Sequence, residues 1–519
     1  METSTANPKR HRHVPPALRR VAEHVAFHAR RRPGHAAVIR NGTPITYAAL
    51  AQDLFAVIVA LKKFNLAPGA VAAIAHEDLY IQLLLVFGFE ALGVATGSFR
   101  PQEGPEAHGL INLADLVLTT QTVTRQGPVF TITDDWLAAT LAAPPSGKLR
   151  LTPANPLETL VILRSSGTTG TPKTMRLTYA AMRDRLARQR HQAGLGLTGA
   201  ARYLALMHFA VGSTLMAASN LLRLGGTFIT QSANPAIIQP PAEKLLVAGR
   251  PTHLTLMPFQ LRALLTALPP RVAPLLPGLT IQSVGAKLPA ELRQAALQKL
   301  CGRIKDNYGS NEVGAVGRVD EAGTLHILPG IEVEIAGPNG NALPPGELGA
   351  IRIRSAGMVT GYVDDEAATA AMFRHGPEPA PTGELGAFPW FYPGDLGIIT
   401  APGQVTLAGR RNDVLNVGGS KIAAPDLEAK ILAATNLRDV ALLQRDPTPN
   451  QTGPSPIIVC AVLHDHAATN QKQLDSIISP LLAYPFRIYL LDSIPRTPEG
   501  KIQRARLYEK FFAQTQSAA

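Results

Sequence analysis

The residues best suited to chemistry form one short run, Arg164-Ser165-Ser166-Gly167-Thr168-Thr169-Gly170-Thr171-Pro172-Lys173. Glycine lets backbone N–H groups approach an anion closely, serine and threonine hydroxyls add donors, and a lysine closes the run. Such a loop can wrap a polyphosphate. It is not a Walker A loop, because the GxxxxGK[ST] pattern is absent. Composition alone leaves a second reading open, a solvated Ser/Gly/Thr linker. No GxSxG or Cys–His arrangement offers a side-chain nucleophile.

The loop follows an apolar run at Leu160–Leu163 that reads as a buried strand. Val71–Ala75 reads as another strand and Leu79–Leu92 as a helix. This alternation argues for α/β layers. No internal repeat of 20–50 residues is present. After Ile331 the pattern changes to short β-type runs (Ile331–Ile335, Gly349–Arg354, Gly397–Thr400, Gln404–Leu407), with turn residues at Pro338-Asn339-Gly340. Beyond Gly409-Arg410-Arg411-Asn412-Asp413 a compact α+β pattern begins. It has a strand at Val414–Val417, a tight turn at Gly418-Gly419 and a helix starting near Pro425. The expectation is an α/β protein with a basic tail over 1–19 and a large domain over 20–411. The large domain holds two layered α/β subdomains and a small β-rich one, and a mobile α+β domain follows over 412–519.

The 519 residues exceed one ordinary domain; 46% are hydrophobic and 17% charged, which allows a large core and excludes wholesale disorder. Two cysteines, Cys301 and Cys460, exclude a disulfide-built scaffold and a CxxC zinc site. The best candidate membrane span, Leu79–Phe99, is interrupted by Gln82 and Glu90. A formal charge of +12 suggests nucleic acid, but residues 1–34 alone carry eight Lys/Arg against Glu2 and Glu23. That is half the total in a short leader. A solvated tail and first helix is the plain reading, and steering of an acidic partner the functional one. The leader lacks the apolar stretch of a secretory signal. A cytoplasmic protein with no nucleic-acid partner and no membrane span is expected.

The loop at Ser165–Lys173 resembles the phosphate loop of the adenylate-forming superfamily, which contains acyl- and aryl-CoA ligases, peptide-synthetase adenylation domains and luciferases. The resemblance recurs in order along the chain. Ile45-Thr46-Tyr47 is similar to its N-terminal LTY segment, and Asp306-Asn307-Tyr308-Gly309-Ser310-Asn311-Glu312 to its YGxTE motif. Gly346-Glu347-Leu348-Gly349 with Gly361-Tyr362 resembles its GEL…GY segment, and Phe391-Tyr392-Pro393-Gly394-Asp395-Leu396 its YxTGDL motif. Gly409-Arg410 begins its hinge, and Pro495-Arg496-Thr497-Pro498-Glu499-Gly500-Lys501 is similar to its terminal PRTxxGK.

The resemblance implies roles. Ser165, Ser166, Gly167, Thr168, Thr169, Gly170 and Lys173 would hold the β- and γ-phosphates of ATP. Glu312 would hold Mg²⁺, a hard cation that prefers oxygen. Tyr308 would stack on adenine and Asp306 accept from its amine, with Asn307, Gly309, Ser310, Gly285 and Ala286 around them. Asp395 would take the ribose hydroxyls and Arg410 reach ribose or phosphate. Lys501 would sit between the carboxylate and the α-phosphate, two anions that repel. His208, Phe209, Ala210, Ser213, Thr214, Val284, Gly285 and Gly309 would line the acyl pocket, with His208 as its gate. Asn412 is the hinge position; Gly418, Gly419 and Lys421 would line a thiol tunnel.

The family's α-amino-acid enzymes carry an Asp where this chain has Ala210, and a buried ammonium without a counter-charge is costly. The expected substrate is therefore a small-molecule carboxylic acid other than an α-amino acid. The implied reaction gives an acyl- or aryl-adenylate and then a thioester, with CoA favoured as acceptor. The alternatives are a phosphopantetheine arm on an acidic acyl- or peptidyl-carrier protein, or a non-catalytic nucleotide-binding homologue.

Overall fold

The computed structural model describes residues 19–512, apart from 105–106, 144–150, 166–171, 191–195, 231–241, 271, 377–384, 386–387, 411–412, 418–419, 445–454, 465–470 and 497–501. A six-stranded sheet runs in the order Val129–Thr131, Leu116–Thr119, Val71–Ala75, Ala95–Ser98, Thr159–Arg164, Thr174–Thr178. All its neighbours are parallel except the last pair, a hairpin.

A second sheet has Thr43–Thr46 at its edge, antiparallel to Ala36–Arg40, followed by parallel neighbours: Ala36–Arg40, Thr227–Thr230, Arg202–Leu204, His253–Leu256, Leu276–Ser283 and Cys301–Ser310. Cys301–Ser310 then pairs antiparallel with Gly314–Val319. From there the ladder continues through Thr324–Ile327, Gln404–Arg410, Asp395–Ala401 and Gly349–Ser355. The β-rich region read from the sequence is thus present, and it is joined to the second α/β sheet by unbroken hydrogen bonding.

The helix Leu79–Ala91 is buried at every residue, which explains its all-round apolar sequence. Asp78 caps it by accepting the Tyr80 N–H at 2.8 Å. Its polar side chains make specific bonds: the Gln82 amide N–H group donates to Ile74 O (3.2 Å) and Ser98 Oγ (3.0 Å), and Glu90 accepts the Val21 N–H at 2.9 Å. Each fully buried leucine of this helix contributes about 1.5–3 kcal/mol. Leu84 from this helix, Leu118 from the first sheet and Phe228 from the second belong to one continuous core.

Part of the basic leader is structural. Arg20 is 1% exposed, pairs with Glu158 and donates to Thr152 O at 2.9 Å. Arg32 donates to Gly225 O at 2.6 Å. Charge counting assigns both to solvent; long-range contacts place them in the fold.

The C-terminal unit packs the helices Ala424–Ala434, Gln471–Leu482 and Arg504–Phe512 on the strands Leu437–Gln444, Ile457–Leu463 and Phe486–Leu490. Its core contains Leu415, Leu427, Val440, Val459 and Ile478. Arg504 binds Glu428 at 2.5 Å and lies 3.4 Å from Asp413, tying the start of the unit to its last helix. Cys301 and Cys460 are free and buried, and burial pushes both thiols up to about 12. Among the described residues no helix is long and apolar enough to cross a membrane.

Candidate functional site

The first part of the site is the hairpin Thr159–Arg164/Thr174–Thr178, with Arg164 opposite Thr174. Its loop is closed at the base: the Ser165 N–H donates to Lys173 O at 2.8 Å, and the Lys173 N–H donates to Ser165 Oγ at 2.9 Å. Ser166, Gly167, Thr168, Thr169 and Gly170 lie outside the described residues. Lys173 Nζ donates to Asp365 Oδ2 at 2.6 Å and lies 5.6 Å from the centre of the Tyr362 ring. Asp365 also caps the helix Glu366–Met372 by accepting the Ala368 N–H at 2.9 Å. These bonds, the Lys173 one first, hold its carboxyl below the usual range. The Val363 N–H donates to Thr174 O at 2.8 Å, so the Gly361-Tyr362 segment is tied to the hairpin.

The second part is the turn between Cys301–Ser310 and Gly314–Val319. It carries Asn311 and Glu312. Glu312 is buried, and its Oε1 accepts the Tyr362 hydroxyl at 3.0 Å. Its other oxygen accepts no hydrogen bond among the described residues. Asn311 Nδ2 donates to Arg164 O at 2.6 Å, linking this turn to the phosphate-loop hairpin. Lys173, Asp365, Tyr362 and Glu312 therefore form one connected group.

On the strand before the turn, the Tyr308 hydroxyl donates to Asp395 Oδ2. Burial first, then the Asp395 charge, push that hydroxyl well above its usual range. Arg410 Nε lies 3.3 Å from the other Asp395 oxygen, and the two residues face each other in the Asp395–Ala401/Gln404–Arg410 ladder. Asp306 is buried, accepts the Leu288 N–H at 3.3 Å, and has its carboxyl raised by burial. Asn307 Oδ1 and Ser310 Oγ are buried and find no hydrogen-bond partner among the described residues. At Gly309 a Cβ would collide with Gly314 O.

Around the expected acyl pocket, His208 is 4% exposed and both ring nitrogens are engaged. Nε2 meets His76 O at 3.0 Å and Nδ1 accepts the Ala210 N–H at 3.1 Å. That pattern places the proton on Nε2. Burial lowers its pKa to about 4, so the ring is neutral at pH 7. His76 follows a strand of the first sheet, so His208 is a bridge between the two sheets. Phe209 packs at 6.0 Å on Phe228 and belongs to the core. Ala210 and Ser213 are half-buried, and Thr214 is buried. The Ser213 and Thr214 hydroxyls have no hydrogen-bond partner among the described residues. Val284 donates its N–H to Leu256 O at 3.0 Å; Gly285 and Ala286 after it are exposed.

Lys421 lies opposite Asn416 in the Val414–Val417/Ser420–Ala423 hairpin. Asn412, Gly418, Gly419 and Lys501 lie outside the described residues. Asp365 and Arg185 escape sequence reasoning. Asp365 has a weak signal, an acid before the helix-forming run Glu366-Ala367-Ala368. Arg185 has none, sitting among Arg183, Arg188 and Arg190 on a helix that reads as polar.

Residues 25–363 match the model of the AMP-binding enzyme family. The probable non-canonical nonribosomal peptide synthetase CymA of Salinispora arenicola (strain CNS-205) is 28% identical over 72% of this chain. This chain spans 5% of CymA's length. Feruloyl-CoA synthase of an Amycolatopsis species is 24% identical over 93% of this chain and 97% of its own. The ATP-bound structure of MatB from Rhodopseudomonas palustris superposes with a TM-score of 0.77 at 20% identity, covering 94% of this chain and 99% of that one. The family match over residues 25–363, with the fold shared by the solved structure, makes this chain a member of the AMP-binding enzyme family, the adenylate-forming enzymes.

Proposed function

We propose that this protein activates a carboxylic acid with ATP and passes it to a thiol, most directly that of CoA. The observation that carries this reading is the convergence of Lys173, Glu312, Tyr308, Asp395 and Arg410. These residues come from distant parts of the sequence and are joined by the Lys173–Asp365 pair beside the Tyr362 ring, the Tyr362–Glu312 and Tyr308–Asp395 hydrogen bonds, the Asp395–Arg410 ion pair and the Asn311–Arg164 link. The names of the relatives support the reaction class: one is a feruloyl-CoA synthase.

In the first step a carboxylate oxygen attacks the α-phosphorus and pyrophosphate leaves. Two anions must meet, so cations and positioning supply most of the acceleration. Lys173 and the phosphate loop would bind the β- and γ-phosphates. Tyr308 would pack on adenine, Asp395 would take the ribose, and Arg410 would stand beside it. Lys501 would enter between the carboxylate and the α-phosphate.

Among the described residues no group of three His, Cys, Asp or Glu could cage a metal. A single buried carboxylate with one oxygen uncommitted fits magnesium, which is commonly held by one or two carboxylates, substrate phosphates and water. Glu312 would be that ligand, and the ion would neutralise phosphate charge. In the second step the thiol attacks the acyl carbon and AMP leaves. His208 is held neutral on both nitrogens and serves as a wall. The likeness to CymA favours one further reading, in which the thiol belongs to a carrier protein.

The test is pyrophosphate exchange into ATP with a panel of aryl and aliphatic acids and magnesium. Acid-dependent exchange that is lost in Lys501→Ala is expected. CoA and a set of holo-carrier proteins are then offered as acceptors. No exchange with any acid removes the proposal.

A further inference from the structure

The helix Tyr179–Arg190 begins where the strand Thr174–Thr178 of the phosphate-loop hairpin ends. Two of its arginines turn inward. Arg185 is 3% exposed, and its Nε donates to Gly357 O at 2.5 Å. Its Nη2 donates to both Asn311 O (3.0 Å) and Glu312 O (2.9 Å). Arg188, paired with Asp184, donates to Val313 O at 3.2 Å. Among the described residues no carboxylate is hydrogen-bonded to Arg185. A buried cation is costly unless its donors are satisfied, and here backbone carbonyls alone satisfy it. Burial and the nearby Arg188 lower its pKa to about 9, which leaves it charged at pH 7.

The backbone makes room for this side chain. Gly314 has φ +74, and a Cβ there would lie 3.1 Å from Arg185 Cδ. A Cβ on Gly357 would lie 3.1 Å from Arg185 Cγ. The carbonyls that Arg185 holds sit on both sides of one contact. Asn311 and Glu312 belong to the turn that carries the Glu312 carboxylate. Gly357 begins the segment that leads to Tyr362, whose hydroxyl binds that carboxylate. Between them the Val359 N–H donates to Glu312 O at 2.8 Å.

We infer that Arg185, assisted by Arg188, is a positioning residue: its guanidinium fork clamps the Glu312 turn to the Tyr362 segment and so fixes the carboxylate that would hold magnesium with ATP. The inference rests on the proposed adenylation. Lysine cannot replace the fork, because one ammonium cannot hold three carbonyls in fixed directions. The expected loss is about tenfold, the size found when a group that orients a metal ligand is removed.

The test measures Mn²⁺ affinity by electron paramagnetic resonance with a non-hydrolysable ATP analogue present, together with pyrophosphate exchange. It uses wild type, Arg185→Lys, Arg188→Lys, Glu312→Gln and the Arg185→Lys/Glu312→Gln double variant. Arg185→Lys is expected to weaken Mn²⁺ and lower kcat about tenfold, with the KM for the acid unchanged. Arg188→Lys is expected to show a smaller loss of the same kind, and it carries the test should Arg185→Lys not fold. In the Glu312→Gln background Arg185→Lys should add almost nothing, since both changes act on one group. Wild-type Mn²⁺ affinity and kcat in both arginine variants, or an equal Arg185→Lys loss with and without Glu312, overturns the inference alone. A wild-type protein that neither binds Mn²⁺ with the analogue nor exchanges pyrophosphate overturns the proposed function as well.

Discussion

Lys173 Nζ and Asp365 Oδ2 are 2.6 Å apart, so the lysine of the phosphate loop is held by a carboxylate in this structure. Both side chains are about a third exposed. In the proposed nucleotide site, a phosphate drawing on Lys173 would compete with Asp365. Asp365→Asn keeps a cap for the helix Glu366–Met372, because Asn caps about as well as Asp, and removes the competing charge. The KM for ATP in pyrophosphate exchange is expected to fall about two- to fivefold, the scale of a partly exposed ion pair. An increase would show that Asp365 helps to hold the nucleotide instead of competing with it.

Asn311 stands where the resembling motif has Thr, and its amide reaches Arg164 O at 2.6 Å. Asn311→Ala leaves that carbonyl without its donor. The expected cost is about 1–3 kcal/mol of stability. Because the bond joins the Glu312 turn to the base of the phosphate loop, the KM for ATP should rise as well. Urea unfolding and exchange kinetics on the same preparation check both effects, and unchanged values in each would dismiss the link.

His208 carries a pH dependence whose sign follows from burial. Its folded pKa is lowered to about 4, against 6.5 for an ordinary histidine. Between those values the unfolded chain binds a proton that the folded chain does not. Stability is therefore fully present above about pH 6.5 and declines as the pH falls towards 4. The loss is roughly 2 kcal/mol by pH 5 for this residue alone. His24, also lowered to about 4 by burial, acts in the same direction. Denaturant unfolding at pH 7 and pH 5 reads the slope, and His208→Asn should flatten it. An equal slope in the variant would mean that His208 takes up its proton without unfolding.

Much of this fold is legible in the sequence where a run of side chains has one environment. Val71–Ala75 and the helix at Leu79–Ala91 are buried all round, so their apolar character has one reading. The loop at 165–173 is legible only because other motifs of the resembling family follow it in order; its composition alone fits a solvated linker equally well. What remains hidden depends on pairing between distant residues. That Asp395 faces Arg410 is a matter of strand register, which neither residue's neighbours encode. The β-rich region looks independent in the sequence because its runs are short. Its union with the second sheet rests on the Cys301–Ser310/Gly314–Val319 pairing, whose strands mix polar and apolar residues. Arg185 is the clearest case: its helix has a polar sequence, and only the backbone carbonyls of residues 311, 312 and 357 draw the side chain inward. The contact of Phe209 with Phe228 is likewise a matter of distant pairing.

The two buried sulfhydryls carry a practical consequence. With both held up to about 12, neither Cys301 nor Cys460 forms much thiolate at neutral pH, so maleimides and similar probes find little to react with on the native chain. Spectroscopists can therefore leave them in place. One cysteine introduced on the exposed face of Gln471–Leu482 and another on the large unit would accept a donor–acceptor dye pair, and the distance between the dyes could be followed as ATP and candidate acids are added.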